Sequence, residues 1–228
     1  MAEWYADFAD TFYRCFIKED RYMLLVNGIG VTLKVSLIAV ILGVLIGMLI
    51  ALCNLSNKKL LRFFGGLYTD IIRGTPSVTQ LMIIYFVIFA SVNLEKWIIA
   101  AIAFGINSGA YVAELIRSGI MSIDGGQMEA GRSLGLGYVQ SMRYIILPQA
   151  FKNILPALAN EFIVLIKETA VAGYVGLADL TYAGSIVAGN SYTYFVPMLG
   201  VAAIYLIIVM FFTWLVGKLE RRLRASER

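Results

Sequence analysis

Four apolar stretches, about 30–53, 76–92 with its flanks, 97–116 and 198–217, each approach the roughly 20 residues that a helix needs to cross a bilayer. No water reaches the hydrocarbon to satisfy loose backbone N–H and C=O groups, so a spanning segment must close its hydrogen bonds internally, as a helix does. A fifth stretch, about 145–168, is interrupted by Pro148, Lys152, Asn153, Pro156, Asn160 and Glu161. Polar groups at that depth are costly and face protein or water. Composition points the same way: 60% of residues are hydrophobic and 15% charged, against about 45–50% apolar in soluble domains. The expectation is an all-α integral membrane protein with five transmembrane helices.

Lysine and arginine placement orients those helices. With the amino terminus outside, the cytoplasmic connections hold Lys58, Lys59, Arg62 and Arg73, then Arg117, Arg132 and Arg143, then Lys218, Arg221, Arg222, Arg224 and Arg228. The other side holds Arg14, Lys18, Arg21 and Lys96, and residues 169–195 contain no Lys or Arg. The positive-inside rule therefore sets the N-terminus outside and the C-terminus cytoplasmic. This asymmetry accounts for the net charge of +4; no aromatic-interleaved basic groove calls for a nucleic acid. Residues 1–22 mix aromatics with charges and lack the basic start and apolar block of a cleavable signal, so the first span is expected to direct insertion. Cys15 and Cys53, in a chain without histidine, suggest apolar filler and no disulfide framework, zinc or haem site. There is no phosphate-binding glycine loop, metal cluster or nucleophile with a histidine base. The chain is expected not to be an enzyme and not to hydrolyse ATP itself.

Several polar positions inside the spans are candidates for function. Gly43 and Gly47 form a G-x-x-x-G pair that lets helix backbones approach closely, with packing inside the subunit the simpler use, and Lys34 is placed to snorkel to the interface. Arg73-Gly74-Thr75-Pro76 reads as a helix start or sharp bend near the inner surface, Thr75 capping and Arg73 anchoring to headgroups or a neighbouring loop. In the third span Asn107, Ser108, Tyr111, Glu114 and Ser118 fall within an arc of roughly 120° at ~100° per residue; Glu114 and Arg117 either pair locally to fix the helix end or serve a gate. In the fourth, Asn153, Asn160, Glu161, Lys167 and Glu168 share a similar arc, and Asn160 and Lys167 stand about 10 Å apart along the axis. Two polar-striped helices in one short chain must turn inward on each other, on a symmetry mate or on a water-filled path. A carboxylate at the depth of Glu161 costs several kcal/mol without compensation. Lys167 is too far along the helix to be its direct partner, which leaves a transported ammonium group or an interhelical hydrogen bond or salt bridge. Lys167, Glu168 and Thr169 sit near the outer exit, where pairing and gate closure are both open.

Between the third and fourth spans, residues 129–148 read EAGRSLGLGYVQSMRYIILP. Glu129, Ala130, Gly131, Gly135, Ile145, Leu147 and Pro148 reproduce the spacing E-A-A-x3-G-x9-I-x-L-P, with Gly131 where alanine is usual. A short amphipathic helix followed by a glycine-permitted turn makes a compact protrusion able to transmit rigid-body motion. This spacing resembles the EAA loop of ABC importer permeases. RGTPSVTQ at 73–80, NSGAYVAELIRSGI at 107–120 and NEFIVLIKETAVAGYVGLADLT at 160–181 are similar to the polar amino acid uptake permeases of the histidine, glutamine, arginine and opine type, so the resemblance extends from about 26 to 217.

That resemblance implies the type I ABC importer permease (MetI-like) fold in a bacterial cell (inner) membrane: an extracytoplasmic or interfacial segment at 1–22, a transmembrane domain at 23–217 with its coupling loop at 124–148, and a basic cytoplasmic tail at 218–228. It implies a second permease subunit, identical or homologous, a cytoplasmic ABC ATPase dimer carrying the ATP and magnesium, and an extracytoplasmic binding protein delivering a polar L-amino acid; no cofactor is bound by this chain. The helix around 124–134 would dock in a groove of the ATPase, with Glu129, Ala130, Gly131, Gly135 and Leu136 as coupling residues. Asn160 and Glu161 become substrate-site candidates, with Asn107, Ser108, Tyr111 and Lys167 along the path. Arg73, Thr75, Pro76, Glu114, Arg117 and Glu168 become helix-end or gate residues. A secondary transporter or channel would use the same polar stripes, but no inverted repeat is evident and the loop would then have no partner.

Overall fold

The structure, a computed structural model, describes residues 2–225, with side chains described for 7–223. Met1 and residues 226–228, including Arg228 of the expected basic tail, lie outside the described residues. Every regular element among the described residues is helical. In chain order these are α1 (Ala2–Phe12), a π-helical turn (Tyr13–Ile17), a 3-10 turn (Lys18–Asp20), α2 (Tyr22–Asn54), α3 (Lys59–Arg73) and α4 (Ser77–Ile83), which ends in a π-helical turn (Ile84–Ile88). There follow α5 (Lys96–Met121), α6 (Gly125–Ser133), α7 (Tyr138–Ser141), a third π-helical turn (Met142–Ile146), α8 (Leu147–Glu168), a 3-10 segment (Thr169–Val175), α9 (Leu180–Ser191) and α10 (Phe195–Ala225).

Three helices, α2, α5 and α10, are long and apolar enough to cross a membrane, in agreement with three of the expected spans. The stretch at 76–92 differs from expectation. Its helix covers only Ser77–Ile88, about 18 Å at 1.5 Å per residue, and meets α3 at an angle of 103° across the Gly74-Thr75-Pro76 break, so it reaches span length only as half of a bent pair with α3. The cause is local: the proline ring forbids continuation of α3, and Pro76 takes the extended backbone (φ −62°, ψ 135°) at the N-cap. The Thr75 hydroxyl donates back to the Ile71 carbonyl at 2.9 Å, at the end of the preceding helix. The expected 145–168 span appears as α8, 22 residues long with Pro156 inside; its polar residues keep it outside the purely compositional definition of a span.

Two compact units are distinguishable. The first comprises Met1–Ala39, Pro76–Phe104 and Val164–Phe211. Its core gathers Cys15, Leu25, Leu180, Ala183, Val187, Val196 and Val201, so Cys15 is buried filler as expected. Gly28 allows α2 to lie against α9: a Cβ there would stand 2.9 Å from the Leu180 Cα. Arg21, counted from sequence as one of the charges on the outer side, is buried; its guanidinium donates to the Arg14 and Asn190 carbonyls at 3.1 and 3.0 Å and pairs with Glu19 at 2.9 Å. Glu19 and Asp20 turn the chain there with left-handed backbones (φ 58° and 52°). Lys34, expected at the interface, lies 3.3 Å from the centroid of the Trp97 ring in a cation–π contact.

The second unit comprises Val40–Thr75, Gly105–Ile163 and Phe212–Arg228. The G-x-x-x-G pair of α2 packs within it on α5. A Cβ on Gly43 would meet the Ser108 Oγ at 2.7 Å and one on Gly47 the Val112 Cγ1 at 2.6 Å, while Gly109 of α5 receives Ile46 in return. The pair therefore serves packing inside the chain. The Tyr68 hydroxyl of α3 donates to the Ile106 carbonyl of α5 at 2.6 Å. In α10 the helix runs through Lys218, Arg221 and Arg222, with the Lys218 ammonium 3.8 Å from the Trp214 ring centroid.

Candidate functional site

The conspicuous segment of the sequence folds into a complete small motif. The Asp124 carboxylate caps α6 by accepting the Gly126 N–H at 2.8 Å. At the other end the Leu136 N–H returns to the Gly131 carbonyl at 3.1 Å and the Gly135 N–H to the Arg132 carbonyl at 3.0 Å. This is the paired six-to-one and five-to-two bonding of a Schellman cap, which needs a left-handed residue just beyond the helix. Gly135 is that residue, with φ +85°, where a side chain would be strained. The spacing from Gly131 to Gly135 is thus the span from the first capped carbonyl to the reversing residue. The chain then re-enters helix at α7, where the Gly137 N–H donates to Gln140 Oε1 at 2.9 Å.

Gly131, the departure from the usual alanine, is the one member of the Glu129-Ala130-Gly131 triplet that is buried. A Cβ there would meet the Ile145 Cδ1 and the Ser141 Oγ, each at 2.8 Å. The glycine does more than loosen the helix: it lets α6 settle directly on the π-helical turn that leads into α8. Glu129 and Ala130 are exposed, Leu134 projects at 83% exposure and Leu136 is half-buried. Ser141, which sequence reasoning did not single out, is fully buried beneath Gly131, and its hydroxyl oxygen has no hydrogen-bond partner. The Asn153 amide of α8 donates to Ser122 Oγ at 3.2 Å, tying α8 to the turn that leads into α6.

Within the same unit α5 and α8 meet through polar groups. The Ser108 hydroxyl donates to Glu161 Oε1 at 2.8 Å, so an interhelical hydrogen bond, one of the two compensations expected for Glu161, is present. A carboxylate can accept more bonds than that one, so capacity remains for a cation. Asn107 and Ser108 are buried, Tyr111 is 37% exposed and Asn160 is exposed; the α5 polar arc therefore divides between protein-facing and open positions. Glu114 and Arg117 form the expected local pair, with the Arg117 Nε 2.9 Å from Glu114 Oε2 and a second bond alongside. Arg73 stacks its guanidinium over the Tyr111 ring at 5.5 Å, which joins a residue placed with the helix ends to one placed along the path. Pro76, Lys167 and Glu168 belong to the other unit.

In that unit Lys167 lines a cleft with Thr181 and Tyr205. Beside it lies a residue missed from sequence, Asp179, fully buried. It caps α9 by accepting the Thr181 and Tyr182 N–H groups at 3.1 and 3.0 Å and takes the Tyr205 hydroxyl at 3.3 Å. The signal was present as an Asp directly before an apolar helical run, an N-cap pattern. No group of three or more metal-ligating side chains occurs among the described residues.

Residues 43–225 match the family described as the binding-protein-dependent transport system inner membrane component. A protein of Rickettsia typhi named as a glutamine transport system permease is 44% identical over 205 residues, 89% of this chain and 94% of that protein. The arginine transport system permease protein of Bacillus subtilis is 37% identical over 205 residues, 89% of this chain and 94% of its own length. A solved structure described as the crystal structure of an amino acid ABC transporter with histidines aligns at a TM-score of 0.85 with 44% identity, over 91% of this chain and 98% of that one.

Proposed function

The chain belongs to the family of binding-protein-dependent transport system inner membrane components, and from that premise we propose that it is the permease subunit of an ABC importer that takes up a polar L-amino acid. The names of its relatives favour glutamine or arginine as cargo. In this reading an extracytoplasmic binding protein delivers the amino acid, a second permease subunit completes the path, and a cytoplasmic ATPase dimer holds ATP and magnesium. Five spans with the amino terminus outside follow if α8 crosses the membrane, its polar stripe turned to the path, and the bent pair of α3 and α4 counts as one span.

The observation that carries the reading is the protruding motif of α6. It is capped at both ends, seated through Gly131 on the turn that leads into α8, and presents Glu129, Ala130 and Leu134 outward. A rigid knob with a carboxylate and an apolar tip fits a groove on a partner, and its seat on the α8 leader gives a pushed knob something to move. ATP closure of the ATPase subunits would draw the paired knobs together and open the striped helices outward; hydrolysis would reverse the tilt. Glu161, held by Ser108 with acceptor capacity left, would take the α-ammonium that all amino acids share, leaving selectivity largely to the binding protein.

The test is Glu129→Lys in the assembled transporter. Reversing the sign of a carboxylate poised for donor groups is expected to abolish assembly with the ATPase, or to leave ATP hydrolysis running without amino-acid uptake into proteoliposomes. Normal assembly and normal uptake would remove the coupling assignment.

A further inference from the structure

We infer that the cleft beside Lys167 is a second, separate station for the cargo, one that binds the charged head group of a free amino acid. The inference rests on the importer reading, but its geometry lies wholly in the first unit. The cleft has a volume of about 300 Å³ and is lined by Lys167, Thr181, Tyr205, Met198 and Val201, among others. That is at the lower end of the range for small-molecule sites, and a largely apolar wall with a few convergent polar groups is their usual make-up.

The polar groups are arranged by sign. Lys167 is exposed to the cleft, and among the described residues its ammonium makes no hydrogen bond or ion pair. An ionisable group near a helix end in a membrane protein ordinarily finds a partner or serves a ligand, and this one faces the cleft unpaired. Thr181 and Tyr205 are the other polar side chains of the lining. Tyr205 commits its proton to the buried Asp179 carboxylate at 3.3 Å, and its oxygen lies 3.2 Å from Thr181 Oγ1. With the tyrosine proton directed to Asp179, the Tyr205 oxygen is met by the Thr181 and Thr32 hydroxyls, so the acceptor left for the cleft is the Thr181 oxygen, and the buried carboxylate behind it also accepts the Thr181 and Tyr182 N–H groups. A cation and a hydroxyl acceptor backed by a buried carboxylate, lining one cleft, match the carboxylate and the ammonium carried on one carbon of an amino acid. A second hollow of about 250 Å³, lined by Gly173, Tyr174, Tyr182 and Ser185, shares Ala170 and Thr181 with the first and gives the amino-acid side chain room.

The experiment uses the complete transporter, with ATPase and both permease subunits, in nanodiscs without binding protein. Lysines are reductively methylated and quantified by mass spectrometry, with exposed Lys58 as the reference. L-glutamine is expected to slow the labelling of Lys167 relative to Lys58, its carboxamide analogue to protect poorly, and inorganic phosphate not to protect. Protection is expected to persist in Glu161→Gln, since the station is distinct, and to weaken about tenfold in glutamine concentration in Thr181→Val, the scale of a lost bond to a charged group. Unchanged Lys167 labelling at glutamine concentrations that support uptake by the same transporter would overturn the station and leave the importer reading standing. Equal protection by phosphate or by the carboxamide would also overturn it. Failure of the assembled transporter to take up any amino acid would overturn the importer reading and the station with it.

Discussion

At the scale of single residues the chain separates groups that hold the structure from groups left open. Glu161 has a hydrogen bond and spare capacity, so Glu161→Ala should lower the uptake rate in proteoliposomes by tenfold or more, on the scale of a lost charge-assisted contact of roughly 2 kcal/mol, while the yield of assembled complex stays unchanged. Wild-type uptake kinetics in that variant would remove it from the path. Ser108→Ala takes away the one donor seen on Glu161 among the described residues and should raise the apparent cargo requirement less than the Glu161 change does. The Ser108 contact was not legible from sequence, because a helical wheel gives the angle of Glu161 but not which neighbouring helix comes to it. Asp179 escaped for a related reason. Its cap could be read from the chain, but its burial and its tie to Tyr205, 26 residues on, are tertiary facts.

At the scale of elements, glycines decide where helices touch and turn. Gly135→Ala places a Cβ on a left-handed backbone, which costs about 1–2 kcal/mol; the expected outcome is a lower ratio of amino acid imported to ATP hydrolysed, with less ATPase retained through purification. Gly47→Val should overpack the α2–α5 contact against Val112 at a cost of about 1–3 kcal/mol, read as a lower melting temperature of the purified complex. Gly30→Ala, where a Cβ would meet nothing within 4 Å, is the control expected to leave it unchanged. The E-A-A-x3-G spacing was readable because it encodes local geometry, a capped helix closed by one reversing glycine. The bend between α3 and α4 was only half readable: proline announced a break, but the 103° angle depends on what each helix packs against, and so 76–92 with its flanks passed in sequence for a span.

At the scale of the whole molecule, α10 is almost wholly apolar from residue 195 to 217 yet largely uncovered there, with Leu206, Ile207 and Met210 each at least 60% exposed. In water such a surface drives association; in a bilayer it meets lipid or another subunit. Native mass spectrometry of the intact transporter should find two permease subunits for each ATPase pair. A second permease of the same 25.2 kDa mass means a homodimer and a different mass a heterodimer, while a single permease would contradict a shared path. Fold class was legible from hydropathy alone, since length and apolarity are properties of the chain. Which polar faces are closed by this chain and which wait for a neighbour depends on the assembly, and no periodicity encodes it.

The seat under Gly131 leaves no room for even a methyl group without displacement. An alanine at that position would press its extra carbon against the Ile145 Cδ1 and the Ser141 Oγ, and the seat would have to shift to admit it. On the importer reading proposed above, a Gly131→Ala exchange should therefore unsettle the way the α6 motif transmits a push to α8, read as a lower ratio of amino acid imported to ATP hydrolysed.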